Sequence, residues 1–156
     1  MLAQITVQDA PVSLQFISRN PSTNLAIVSF AGYSIDSNSV SPITLKRYEN
    51  GVLTKTILAT GTKQIGYYHF SITDTVPAKL VEYGYKLYNS QSQLVYNCDS
   101  VAIGDAYLVN GQSNAEAASI MNGTETANFQ HPFIRCYGNG HLSPNFLNWH
   151  MAQGDG

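Results

Sequence analysis

The chain has 156 residues, 44% hydrophobic and only 12% charged, with a net charge of −2 and a pI near 6.0. That hydrophobic share is enough for a packed core and argues against disorder. There is no basic field to attract phosphates, so no nucleic-acid partner is expected. No apolar run approaches the ~20 residues a spanning helix needs, so no membrane partner is expected either.

Polarity comes from Ser, Thr, Asn and Gln, with ten tyrosines. Such a surface suits an extracellular β protein or a carbohydrate partner. Met1-Leu2-Ala3-Gln4 has neither a positive n-region nor an apolar h-region. It is no intact signal peptide; the composition points to a secreted or periplasmic protein, and if the protein is exported its signal has been removed. Cys98 and Cys136 form no CxxC and no Cys/His ligand spacing. No metal or other cofactor is expected. One disulfide is open in an oxidising compartment, but two buried free thiols are favoured, because the cysteines fall in different domains of this reading.

In chain order, the first hundred residues read as all-β. Pro11 to Ile17 alternates apolar and polar residues with period two, and Leu25 to Gly32 is a second apolar run. Ile43 to Glu49 and Val52 to Leu58 flank Asn50-Gly51, a strong hairpin signal because both turn positions require positive φ. Tyr67 to Ile72 follows a Gly-containing turn. Leu80 to Tyr88 and Gln93 to Cys98 read as a hairpin across Asn89 to Ser92. Short strands with frequent turns predict a β-sandwich over 1–102, immunoglobulin-like or fibronectin-type in kind. The Cys–Trp–Cys pattern of antibody domains is missing, since the single tryptophan is Trp149. Tyr83, Tyr85, Tyr88 and Tyr96 read either as a sugar-stacking platform or, more commonly, as half-buried cross-strand pairs.

The pattern changes near Gly104. Asp105 to Asn110 reads as a buried strand, Gly111-Gln112 as a tight turn, and Ser113 to Met121 as a helix stopped at Asn122-Gly123. Phe133 to Tyr137 reads as a second strand. Strand, turn, helix and strand begin an α/β unit. A sheet covered on both faces generally needs more chain than 103–156 supplies. The expectation is an incomplete second domain that packs against the remainder of its own fold. Asn122-Gly123-Thr124 also fits a glycosylation acceptor.

Ser113 stands between a strand and a helix. Free backbone N–H groups and the helix dipole at such a point favour developing negative charge. Ser113-Asn114-Ala115-Glu116 equally matches a capping box, and on local pattern alone the cap is the commoner outcome.

The longer string Gly104-Asp105-Ala106-Tyr107-Leu108-Val109-Asn110-Gly111-Gln112-Ser113-Asn114 tips the balance. It resembles the first block of the SGNH-hydrolase branch that contains sialate O-acetylesterases and acetylxylan-type carbohydrate esterases. Tyr107 stands where that branch usually has tryptophan, and Ala115 where it has methionine. The resemblance implies a flavodoxin-like α/β hydrolase after an accessory β-sandwich. It implies an acetylated carbohydrate as substrate. Ser113 would be the nucleophile and an oxyanion N–H donor, with Gly111, Gln112 and Asn114 shaping the turn. The family's base lies in a C-terminal Asp-x-x-His segment. His131, His141 and His150 lack an Asp two or three residues before them. His69 reads as a structural strand residue, and Asp105 as a turn or cap residue. The alternative expectation is a non-catalytic sandwich that binds glycans or serves as an accessory module.

Overall fold

The computed structural model describes residues 5–35, 42–107, 131–137 and 148–151. Among them the chain is mainly β, with no helix. The strands are β1 (Ile5–Asp9), β2 (Phe16–Ser18), β3 (Leu25–Ser34), β4 (Ile43–Glu49), β5 (Val52–Ala59), β6 (Thr62–Gln64), β7 (Tyr67–Pro77), β8 (Tyr83–Tyr88), β9 (Leu94–Gly104), β10 (Arg135–Tyr137) and β11 (Trp149–Met151). One sheet has the order β1-β3-β7-β6, and a second the order β2-β9-β8-β4-β5. Strands β10 and β11 form a separate antiparallel pair.

Alternation determines how the two larger sheets meet. Ala26, Val28 and Phe30 of β3 and Phe70, Ile72 and Val76 of β7 are buried on one sheet. Ile43, Leu45, Tyr83, Tyr85, Leu87, Cys98, Val101 and Ile103 are buried on the other, and both sets belong to one core. The Phe30 and Tyr85 rings meet across the sheets with centroids 5.2 Å apart. Each fully buried side chain of this size contributes about 2–3 kcal/mol over its exposed state. The result is a β-sandwich.

The hairpin at Asn50-Gly51 forms as expected, with φ of +48° and +80°. The Asn89 carboxamide oxygen accepts from the Gln91 and Gln93 N–H groups and closes the β8–β9 turn. Two expectations need correction. Pro11 to Ile17 is not one strand, because Ser13 and Leu14 form a turn, with Leu14 at φ +68° and its N–H donating to the Asp99 carbonyl. Only β2 remains of it. The strand expected from Leu80 begins at Tyr83, since Glu82 N–H is taken by the Asn50 side chain. Strand β9 runs as far as Gly104, and Val101 and Ile103 lie in the core.

A chain of charges spans the sandwich. Asp74, fully buried on β7, pairs with Lys55 Nζ at 2.7 Å and Arg47 Nη1 at 3.1 Å, both from the opposite sheet. The Tyr85 hydroxyl lies 3.4 Å from the same carboxylate. Arg47 reaches on to Glu49, and Glu49 to Lys79, each at 3.3 Å. A buried carboxylate needs such partners, because an unpaired one is costly to desolvate.

Candidate functional site

Gly111, Gln112, Ser113 and Asn114 lie outside the described residues, as do the Ser113 to Met121 helix, Asn122 and His141. What the structure describes is the approach to that block. Strand β2 runs parallel to the end of β9, with Phe16 opposite Ala102, Ile17 opposite Ile103 and Ser18 opposite Gly104. The Arg19 N–H then donates to the Gly104 carbonyl at 2.8 Å.

Asp105, the next residue, is gripped by the Arg19 side chain. Nε donates to Oδ1 at 2.7 Å and Nη2 to Oδ2 at 2.9 Å, a bidentate fork, while Nη1 donates to Asn24 Oδ1 at 2.7 Å. The hydrogen bonds to Arg19 hold the Asp105 carboxyl below its usual range, with charge attraction assisting and partial desolvation opposing. The carboxylate is thereby committed to an ion pair. Asp105 fixes where the chain leaves the sandwich, consistent with a turn role.

A second contact set joins β9 to β10. Ser100 has φ +60° at a bulge, where Val101 pairs with Tyr83 but Cys98 with Tyr85. The Ser100 hydroxyl donates to Glu82 Oε1 at 2.6 Å. Arg135 Nη2 donates to the same oxygen at 3.0 Å and to the Ser100 carbonyl at 3.2 Å. The Arg135 side chain is fully buried, yet its Nε and Nη1 have no hydrogen-bond partner among the described residues. The bulge turns a backbone carbonyl outward, and the guanidinium anchors β10 on it. The sequence reading did not anticipate this contact, because it joins residues 35 apart in the chain.

Aromatic packing completes the seam. Phe16 leans over Gly104, where a Cβ would lie 3.4 Å from the ring. Its centroid is 6.3 Å from that of Trp149, which is 5.0 Å from Tyr137. Trp149 therefore packs between the sandwich and β10. Phe133 to Tyr137 was expected as a strand, and its last three residues form one. Their partner is the antiparallel Trp149–Met151 strand, a pairing the sequence reading did not anticipate.

The histidines that are described are dispersed. His69 is half-buried on β7 opposite Tyr33 and Thr62. His131 accepts from the Phe133 N–H at 3.3 Å and stacks near that ring. His150 pairs through its backbone with Cys136. No cluster of three His, Cys, Asp or Glu side chains capable of holding a metal occurs among the described residues. Both cysteines are free; Cys98 is buried, which pushes its thiol up to about 12. Tyr83 and Tyr85 are fully buried, so they serve the core and are no sugar platform. A cleft of about 170 Å³ lies beside Asp9, Pro11, Gln15, Ile17, Ile27 and Ser29. That is below the usual 300–1,000 Å³ of ligand pockets.

No family model matches the sequence, and no curated protein matches it. Among solved structures the chain is similar to the CARDB domain of a Pyrococcus furiosus protein, determined in complex with di-metal ions. The identity is 14%, the TM-score 0.38, and the match covers 67% of this chain and 96% of that one. A likeness this distant identifies neither a family nor an activity.

Proposed function

We propose that this chain belongs to a serine carbohydrate esterase that removes O-acetyl groups from a glycan, with Ser113 as nucleophile. The observation that carries the reading is the Gly-Gln-Ser-Asn core seven residues after the last residue of β9, the strand that ends the sandwich. The clamp of Arg19 on Asp105 supports it, because a nucleophile works only from a fixed strand-to-helix turn. The Ser113 hydroxyl would attack the ester carbonyl, its proton passing to a base from elsewhere in the protein. The alcohol of the sugar leaves, and water then hydrolyses the acetyl-enzyme. The Ser113 N–H would face the oxyanion. Gly111 allows the tight turn, and Gln112 and Asn114 hold neighbouring loops.

A second reading has its own support. The described residues build a two-sheet sandwich with one continuous core, which is what a glycan-binding or accessory module needs. One comparison separates the two. The protein and its Ser113→Ala variant are assayed on p-nitrophenyl acetate and on acetylated oligosaccharides. The esterase reading expects the variant to lose at least ~10³-fold in turnover, as nucleophile removal ordinarily does. Equal turnover by the two proteins would sink it and leave the accessory module.

A further inference from the structure

The outer face of the five-stranded sheet holds an unusual charge arrangement. Of the eight basic residues, Arg19, Arg47, Lys55, Lys79 and Arg135 each sit against a carboxylate. Lys46, Lys63 and Lys86 do not, and of these Lys63 lies on β6 of the other sheet. The other two share one face. They are directly opposite one another on β4 and β8, in a register that runs Thr44↔Tyr88, Lys46↔Lys86, Tyr48↔Gly84. Among the described residues neither has an ion-pair partner. Like charges placed opposite in an antiparallel pair repel and destabilise the sheet.

Two tyrosines hold this pair in place. Lys46 Nζ lies 4.9 Å from the centre of the Tyr88 ring, and Lys86 Nζ 5.1 Å from that of Tyr48. Each ammonium is thus drawn onto the ring diagonal to it, and the four side chains form one compact unit. Gly84 stands opposite Tyr48 in this register. Thr56 and Asn97 extend the lysine row across four strands. The nearest acid on this face is Asp99, whose Oδ1 would be 3.3 Å from a Gly84 Cβ and whose Oδ2 accepts from Asn97.

We propose that this face, centred on Lys46, Lys86, Tyr48 and Tyr88, binds a carboxylate-bearing sugar of an acidic polysaccharide. The carboxylate would relieve the repulsion of the two ammonium groups, while the Tyr48 and Tyr88 side chains, hydrogen-bonded to one another, border the pyranose. Two unpaired cations on this face of a chain of net charge −2 are too few for a dense polyanion such as a nucleic acid, and Asp99 adds a local penalty against high charge density. Only the choice of a sugar as the carrier of the carboxylate draws on the esterase reading.

Affinity electrophoresis of the full chain in gels containing polygalacturonate tests the site. We expect retardation that weakens as salt rises, as for any contact made through exposed charge. The variant pair Lys46→Gln/Lys86→Gln should weaken apparent affinity at least tenfold without lowering the melting temperature, and Lys46→Arg/Lys86→Arg should retain the affinity. Ser113→Ala should be retarded like the parent sequence, so loss of esterase activity with intact retardation removes one proposal and not the other. Unretarded parent protein, equal retardation of the Gln variants, or equal retardation by a neutral xylan would overturn the site. Retardation by dextran sulfate alone would overturn the carboxylate.

Discussion

Arg19–Asp105 and Arg47–Asp74 pair the same residue types in opposite surroundings. The side chains of the first pair are 28% and 47% exposed, and those of the second 11% and 0%. The first has the better hydrogen-bond geometry, with two parallel contacts under 3 Å. Water competes with it nonetheless, and salt screens it. The second has longer contacts but no solvent to fall back on. Geometry decides where the exposed pair points the chain, whereas burial decides what the interior pair is worth.

The largest expected effect lies in the interior. Asp74→Ala removes the anion that Arg47 and Lys55 share, leaving Arg47 beside the core with Glu49 alone. We expect a loss of about 3–5 kcal/mol, read from the urea midpoint. A loss below ~1 kcal/mol would make the buried pair as dispensable as an exposed one, and the contrast would collapse.

Alkaline pH should act on the same interior. Burial pushes the Tyr83 phenol up to about 12, with the Glu49 charge adding to it, and raises that of Tyr85 by burial and then Asp74. Cys98 is pushed up likewise, to about 12, mainly by burial. Each group therefore holds its proton more tightly folded than unfolded. Their contribution is fully present below the unfolded values of about 9 to 10 and is lost as pH rises toward about 12. Melting temperature should fall over that window, with the phenolate absorbance of buried Tyr83 and Tyr85 appearing only as the protein unfolds. Phenolate from all the tyrosines near pH 10, without unfolding, would contradict their burial.

A smaller effect is expected where backbone meets backbone. A Cβ on Gly32 would lie 2.2 Å from the Thr6 carbonyl and 2.8 Å from the Phe70 ring. Gly32→Ala should cost about 1–3 kcal/mol through overpacking and loosen β1 from β3, so amide exchange in β1 should rise first. Unchanged protection in β1 would show that the strand can shift freely.

The smallest expected change is at the exposed pair. Arg19→Ala and Asp105→Asn should each leave the melting temperature close to that of the parent. Because the Arg19 hydrogen bonds lower the Asp105 carboxyl, whatever stability they add is present above the ordinary carboxylate value and is lost as pH falls through the lowered one. Proteolysis after Gly104 should nonetheless quicken in Arg19→Ala, since the residue's task is to hold the chain exit. Equal cleavage rates would deny it that task.

Much of this was readable along the chain. Ile43 to Glu49, Asn50-Gly51 and Val52 onward are local features: alternation sets the strands and two positive-φ residues set the turn, so no distant partner is needed. Leu25 to Gly32 was legible for the same reason. Pro11 to Ile17 misled because alternation says nothing about a turn held by the Asp99 carbonyl, some 85 residues away in the chain. The tyrosine series misled too, since a strand tyrosine looks the same on either face until the opposite sheet is placed.

The sequence by itself determined the β character of the first hundred residues, the hairpins and the Gly-Gln-Ser-Asn string that suggests an esterase. These depend on local backbone preference and residue chemistry. Only the tertiary structure decided which sheet faces which, and therefore that Asp74 is interior and Asp105 exposed. It also decided that Lys46 meets Lys86 and that Arg135 anchors on the bulge at Ser100. Those outcomes depend on register between strands distant in sequence, where a one-residue slip would send every side chain to the other face.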